Sequence, residues 1–447
     1  MKDVEIRIPD VGTTVDEIEV VRWLVEVGQH VKLGQPLLEV ETDKAMMELE
    51  SIAAGTVKQL IAQPGQEVTT GDIIAIVESN EDGAAVSVSS VVKNSESTET
   101  PSAPVFASGN QFIQPQSITD SSEIEVNIDS YDQKFLLSLY ERMALIRTFE
   151  ERVKLLFLEG SMPGTIHQCQ GQEACAVGVC SALREDDYIT STFRGHGHAL
   201  AKGVTVDSLL FELYGATTGC CRGKGGSMHV GDMSKGMVPG IAIVGGGVPL
   251  AAGMALAFKM QKSSQVVASF FGDGAVAEGA FHEGINLAAI WELPVIYVCE
   301  NNHYGASTRV DKVMKNDRIS DRAAAYGLRG QTVDGNDVLA VYEITHQAVD
   351  LCRNGGGPIL LELVTYRRTG HSRRDACHYQ PKEEREYWMN RDPIHLLGQR
   401  LVGQRGVAEE ELEKIQAQVN QQFDDAMAAV PGQPMPTVDE LTTDIFA

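Results

Sequence analysis

The triplet Gly272-Asp273-Gly274 is followed, after twenty-six residues, by the pair Asn301-Asn302. The triplet closes an apolar, β-rich run from Val266 to Phe271, and the pair follows another from Val295 to Cys299. Between them, Glu278 to Ile290 sets Ala280/Phe281, Gly284/Ile285 and Ala288/Ala289 on one helical face. Strand, turn, helix and strand in that order predict a βαβ unit with a right-handed crossover. Its two parallel strands present their carboxyl ends side by side, where open α/β sheets bind ligands. Asp273 and Asn302 then converge from separate segments. A carboxylate and an amide oxygen are hard ligands, suited to Mg²⁺ or Ca²⁺ with positions left open for phosphate. Glycines beside Asp273 let a diphosphate approach the backbone closely.

This pair resembles the thiamine diphosphate (ThDP) motif, Gly-Asp-Gly with Asn-Asn some thirty residues on. A lone Gly-Asp-Gly is often only a turn; the triplet, spacing, strand context and Asn pair together are far more specific.

The chain has 447 residues, a soft prior for about three domains. Its net charge of −25 argues against nucleic acid or an anionic membrane as partner. Met237 to Phe258 is uncharged and long enough to span a bilayer. However, five glycines and two prolines interrupt it, so a glycine-rich turn leading into a buried helix is expected. The eight cysteines contain no Cys-x-x-Cys, and the N-terminus starts at once in strand pattern without a signal peptide. A reducing compartment, the cytoplasm, is the expected location.

The first eighty residues carry an internal repeat. Gly28-Gln-His-Val-Lys-Leu-Gly34 returns as Gly65-Gln-Glu-Val-Thr-Thr-Gly71, each copy leading into an apolar strand. Two similar β halves predict a small barrel-like sandwich with pseudo-twofold symmetry. Glu41-Thr42-Asp43-Lys44-Ala45 lies between strand-like runs, which places Lys44 at a hairpin tip. An isolated lysine is most often a solvated surface residue, but this one sits between the two halves of a repeat. Residues 1–79 resemble a lipoyl domain, whose hallmark is this same pentapeptide with its lysine lipoylated. Biotin carriers flank that lysine with methionines; here the neighbours are Asp43 and Ala45. Residues 80–123, rich in Ser, Glu, Thr, Ala and Pro, read as a flexible linker, the tether a carrier domain needs. Ser130 to Gln133 reads as a capping box opening a long helix with an apolar stripe through Leu136, Leu139, Met143, Ile146 and Phe149.

Seven segments occur in order, the triplet and the Asn pair among them: His167-Gln-Cys-Gln-Gly-Gln-Glu-Ala, Phe193-Arg194-Gly-His196-Gly, Gly223-Lys-Gly-Gly-Ser-Met-His229, Ile243-Val-Gly-Gly-Gly-Val-Pro-Leu250, Gly272-Asp-Gly274, Glu300-Asn-Asn-His-Tyr304 and Tyr366-Arg-Arg-Thr-Gly-His371-Ser372. Together, residues 124–447 resemble the α subunit of the ThDP-dependent first component of 2-oxo acid dehydrogenase complexes, pyruvate and acetoin types included. The resemblance implies an α/β fold: a parallel-sheet, ThDP-binding domain with flanking helices, preceded by the small all-β lipoyl domain. It also implies that Asp273, Asn302 and the carbonyl of Tyr304 bind Mg²⁺. Arg194 and His371 would contact the diphosphate, with His371 also facing the reacting centre as the catalytic residue. His167, Phe193, Ala242, Val244, Gly274 and Ala275 would line the cofactor. Arg367, Arg368, His371, Arg373 and Arg374 make a basic cluster in an acidic chain, as a polyanionic cofactor requires. His196, His198 and His229 read as well as hydrogen-bonding structural histidines.

Two departures from the family pattern stand out: Ala242 replaces a usual glycine near the aminopyrimidine, and Phe193 stands where mitochondrial relatives have Tyr. Ser372 sits where those relatives are phosphorylated; a structural loop serine is the simpler reading.

The wall facing the aminopyrimidine needs a second α/β domain, for which the chain has no room. The expected partner is therefore a β subunit in a heterotetramer of two α and two β chains. Beyond it stand the dihydrolipoyl acyltransferase and dihydrolipoyl dehydrogenase of the complex. The implied reaction decarboxylates a 2-oxo acid and reductively acylates lipoate carried on Lys44. Acetoin cleavage is the alternative substrate reading. A non-catalytic lipoyl carrier or scaffold is the alternative of a different class.

Overall fold

The computed structural model describes residues 2–8, 18–32, 34–41, 46–69, 71–79, 126–316, 318–372 and 375–443. The chain divides into two compact units, Met1–Ile113 with Leu158–Ser161, and Gln114–Phe157 with Met162–Ala447.

Among its described residues the first unit contains eight strands: β1 (Lys2–Arg7), β2 (Ile18–Trp23), β3 (His30–Val31), β4 (Pro36–Glu41), β5 (Met46–Glu50), β6 (Gly55–Leu60), β7 (Glu67–Val68) and β8 (Ile73–Ser79). They form two antiparallel sheets, ordered β1-β8-β6-β3 and β5-β4-β2-β7. The repeat carries β2, β3 and β4 onto β6, β7 and β8, so the two orders are images of one another. The hydrogen bonds repeat with it: Gly28 N donates to Val57 O and Gly65 N to Val20 O, each at 2.7 Å. Both glycines have positive φ, 90° and 79°, which the turn demands and a side chain would resist. Ile18, Val20, Val31, Leu37, Val57, Val68, Ile74 and Val77 fill the space between the sheets. Strands β4 and β5 pair up to Glu41 opposite Met46. The tip between them, with Lys44, lies outside the described residues, as does the whole of 80–123.

The second unit is built on a five-stranded parallel sheet, β14-β15-β11-β10-β9. Its strands are β9 (Tyr188–Thr190), β10 (Val267–Gly272), β11 (Val295–Asn301), β14 (Arg329–Asp334) and β15 (Ile359–Val364); a small hairpin, β12 (Tyr304–Gly305) with β13 (Thr308–Arg309), follows β11. Strands β11 and β15 are buried at every position, which is why they read as unbroken apolar runs rather than alternating ones. Alternate residues serve opposite faces. Phe270, Ile296 and Val298 join one core with α1 (Gln133–Leu158), α2 (Glu173–Ala182), α3 (His196–Lys202), α4 (Val206–Leu213) and α7 (Val338–Arg353). Phe271, Val295, Tyr297 and Cys299 join the other with α5 (Gly247–Gln261) and α6 (Gly279–Ile290). Helices α8 (Lys382–Met389), α9 (Pro393–Arg405) and α10 (Glu409–Ala429) complete the unit. The predicted βαβ unit is present: β10 and β11 pair in parallel, with α6 between them in sequence.

Two expectations are corrected. Ser130 caps no long helix; it ends a 3-10 turn, Ile128–Ser130, capped by Asn127, and α1 begins at Gln133. The helix after the glycine-rich turn is not fully buried. Val248, Ala251, Ala252 and Ala255 face the core, whereas Leu250 and Met260 are exposed. The uncharged stretch is thus a one-sided helix, and among the described residues no helix is long and apolar enough to cross a membrane. All eight cysteines are free, and six of them are buried.

Candidate active site

The carboxyl ends of β9, β10, β11 and β15 all carry predicted site residues. Asp273 follows β10, opens a short 3-10 turn (Asp273–Ala277), and is 2% exposed. Its Oδ2 is buried without a hydrogen-bond partner. Burial pushes its carboxyl up to about 7, held back by neighbours that include Arg367. A buried carboxylate with a free oxygen suits a cation ligand. Gly274 lies against the loop after β11, since a Cβ there would stand 3.2 Å from Gly305 Cα. This close approach sets the turn that Asp273 opens against the strand Tyr304–Gly305.

The Asn pair divides its labour. Asn301 Nδ2 donates to Glu362 Oε1 at 2.8 Å, and Asn301 Oδ1 accepts from His303 N at 3.1 Å. Glu362 is fully buried within β15 and also accepts from the backbone N–H of Ile319 and Ser320 and from Thr332 Oγ1. Asn301 is therefore a structural clamp. Asn302 Oδ1 accepts from Tyr304 N at 3.2 Å, and its Nδ2 donates to Gln172 Oε1 at 2.8 Å. His303, between them, has φ of 71°, a left-handed conformation that bends the chain here and costs about 1 kcal/mol or more in a non-glycine. Burial drives the His303 imidazole down to about 3.

A second group forms where Phe193-Arg194, His167 and His371 meet. The three rings stack edge to face: His167 to Phe193 at 4.7 Å, His167 to His371 at 5.1 Å, Phe193 to His371 at 5.7 Å. Arg194 is 6% exposed, donates to the carbonyls of Gln168 and His371, and makes no ion pair with a carboxylate among the described residues. Burial, then the Arg367 charge, pushes its guanidinium down to about 10. Arg367, 1% exposed, likewise makes no ion pair with a carboxylate among the described residues and donates to Ala306 O at 2.8 Å, Tyr379 Oη at 2.7 Å and Thr369 O at 3.2 Å. Two buried guanidinium groups without carboxylates mark an anion site.

His371 is lowered to about 4 and His167 to about 3, in each case by burial first and then by Arg194, so both are neutral at pH 7. Arg367 Nη1 lies 3.5 Å from His371 Nδ1. A guanidinium only donates, so Nδ1 accepts and Nε2 carries the proton of the neutral ring. His167 Nδ1 is buried and unpartnered.

Residues 167–172 join the two groups, through the His167 ring, the Gln168 carbonyl under Arg194, and Gln172 on Asn302. Gly171 holds this stretch against the strand leading to His371, with φ of 96°. A Cβ on it would stand 2.3 Å from Tyr366 O. Gly171→Ala is expected to destabilise the protein by at least about 3 kcal/mol in urea unfolding, combining left-handed strain with a backbone clash.

The turn carrying Ala242 and Val244 joins the site at its edge. Ile241 N donates to Ser191 O at 3.0 Å, and a Cβ on Gly245 would meet the Glu278 side chain at 3.2 Å. Ala242 is half-buried and Val244 exposed.

The basic cluster splits. Arg367 faces the site, whereas Arg368 turns away to pair with Asp392; Arg373 and Arg374 lie outside the described residues. His196 and His198 prove structural: His196 Nε2 lies 2.9 Å from Ser227 Oγ, and His198 bridges Ser191 and Glu300. His229 is exposed and donates from Nδ1 to Gly240 O at 2.7 Å. Gln172, Glu362 and Tyr379 escaped the sequence reading as individual site residues; Gln172 alone carried a signal, standing inside the Gly-Gln-Glu-Ala segment. The donor set as a whole fits a polyanion with a hard divalent cation.

Comparison with known proteins agrees with this chemistry. The family model described as dehydrogenase E1 component matches residues 141–439, and the model described as biotin-requiring enzyme matches residues 4–77. The alpha subunit of acetoin:2,6-dichlorophenolindophenol oxidoreductase from Bacillus subtilis is 45% identical over 318 residues, which is 71% of this chain and 95% of that protein. The Cupriavidus necator counterpart is 44% identical, over 70% of this chain and 95% of its own length. The pyruvate dehydrogenase E1 alpha subunit of Rhizobium meliloti is 40% identical, over 69% of this chain and 89% of its own. The chain therefore belongs to the dehydrogenase E1 component family, as a ThDP-dependent alpha subunit carrying a biotin/lipoyl domain on its N-terminal side.

Proposed function

We propose that this chain is the catalytic α subunit of a 2-oxo acid dehydrogenase of the pyruvate type. Its product acyl group goes to lipoate carried on its own Lys44, in a module at residues 1–79 on a tether at 80–123. One observation carries the cofactor assignment. Among the described residues Arg194 and Arg367 are buried and make no ion pair with a carboxylate, Arg367 lies within electrostatic reach of Asp273, and Asp273 Oδ2 has no hydrogen-bond partner. Asp273, Asn302 Oδ1 and the Tyr304 carbonyl would hold Mg²⁺. Arg194 would hold the diphosphate, and Gly274 and Ala275 would let it approach the backbone. Bound ThDP supplies the nucleophilic carbon and electron sink for breaking a bond beside a carbonyl.

The protein's part is position and charge. His371 offers a neutral Nε2–H to an oxygen of the diphosphate or of the substrate. His167 and Phe193 close the apolar side, and the turn with Ala242 and Val244 borders the aminopyrimidine. The exposed apolar residues Ile243, Leu250, Met260, Leu287, Ile290 and Trp291 suit a partner subunit covering α5 and α6. That partner is taken to be the β chain of a heterotetramer. Dihydrolipoyl acyltransferase and dihydrolipoyl dehydrogenase would complete the cycle.

Acetoin is the second substrate reading, favoured by the higher identity to the acetoin-linked subunits. Both substrates deliver an acyl group to the same arm. Lys44→Arg tests the arm: turnover of the assembled complex should collapse, while dye-linked substrate oxidation persists. Unchanged complex turnover would refute a carrier role for Lys44.

A further inference from the structure

Gln172 occupies the N-cap position of α2 but does not cap it, because its side chain makes no bond to the helix's own N–H groups. The side chain, 1% exposed, reaches instead to Asn302. The orientation of both amides is fixed by one backbone group. Tyr304 N can only donate, so the Asn302 atom that faces it is Oδ1. Asn302 therefore turns Nδ2 toward Gln172, and the Gln172 atom that receives it must be Oε1. That leaves Gln172 Nε2 on the other branch of the amide, buried and without a partner. An amide N–H₂ sealed from water with nothing to donate to is costly unless a ligand supplies the acceptor. Asp273 Oδ2 and His167 Nδ1, both assigned to the cofactor site, are buried orphans as well.

We infer that Gln172 is a cofactor-binding residue of this chain, with two functions that use the two ends of one amide. Its Oε1 locks the Asn302 amide so that Oδ1 stays available to the cation. Its Nε2 donates to an oxygen of the bound diphosphate. The inference deepens the cofactor site proposed above and rests on it. The N-terminus of α2, ten residues long, adds a favourable dipole for the same anion.

The test uses the chain assembled with its β partner, comparing unaltered protein with Gln172→Leu and Gln172→Glu. ThDP binding at saturating Mg²⁺ is followed by calorimetry, and the melting temperature is measured without cofactor. Gln172→Leu should raise the ThDP dissociation constant by about 10- to 100-fold, the loss of one bond to a charged group. The cofactor-free melting temperature should change little, because the bond lost to Asn302 is offset by removal of the buried, unpartnered Nε2. A merely structural role would lower the melting temperature and leave binding of the folded fraction intact. Gln172→Glu keeps the acceptor for Asn302 but turns an anionic oxygen toward the diphosphate, so it should bind ThDP at least as weakly. Its near-identical shape preserves the comparison should the leucine variant fail to assemble. Binding at the unaltered affinity in both variants would overturn the inference while leaving the cofactor site standing. Failure of the unaltered assembly to bind ThDP would overturn the cofactor reading and this inference with it.

Discussion

Asp273→Ala should abolish Mg²⁺-dependent binding of ThDP, weakening it at least about 100-fold, without destabilising the cofactor-free protein. The two halves of that expectation come from one property. Asp273 is buried, with one oxygen unpartnered and its carboxyl pushed up to about 7. The folded protein therefore holds this carboxylate at a cost that a bound cation would offset. Its removal takes away the one carboxylate among the three proposed ligands and also the cost. Calorimetric titration of ThDP and thermal melting of the apo form measure the two effects separately. A variant that binds ThDP normally, or one that simply unfolds, would remove Asp273 from the cation site.

Arg194→Met should raise the ThDP dissociation constant by about 100-fold or more, with the stability of the cofactor-free protein changed by less than about 1 kcal/mol. Two hydrogen bonds to carbonyls are lost, each worth about 1 kcal/mol. Against this, a buried guanidinium without a carboxylate is removed, which relieves a desolvation cost of similar or larger size. Arg147 provides the contrast. It is half-buried and pairs with Glu173 at 2.6 Å and Asp392 at 2.8 Å. Arg147→Met strands the fully buried Glu173, while Asp392 keeps Arg368, and should cost about 3 kcal/mol or more. Urea unfolding of the two apo variants separates an arginine kept for a ligand from one kept for the fold. Equal destabilisation by both would mean that Arg194 is structural.

Much of this was legible in the amino-acid order. The βαβ unit announced itself because β10 and β11 are central strands, buried on both faces, and a run such as Val295 to Cys299 has no other economical explanation. The first unit was legible through its repeat, because identical turns need identical glycines at Gly28 and Gly65. Arg367 and Arg368 were harder. They are chain neighbours of the same type, and extended backbone sends consecutive side chains to opposite sides. One faces the anion site and the other Asp392, a division no one-dimensional pattern records. Gln172 and Glu362 were hidden for a related reason: a buried amide or carboxylate has its meaning only in its partners, which lie far away in sequence. Helix α5 misled in the other direction. Leu250 and Met260 are apolar yet exposed, as expected of a surface that another chain covers.

Catalysis by the chain with a β partner is the central claim. The deciding measurement is dye-linked oxidation by the reconstituted assembly, with ThDP and Mg²⁺, across pyruvate, branched-chain 2-oxo acids and acetoin. The expected result is turnover of pyruvate, or of acetoin under the second reading, that requires both ThDP and Mg²⁺. No turnover of any of them by an assembly that demonstrably folds, or turnover indifferent to ThDP, would contradict it.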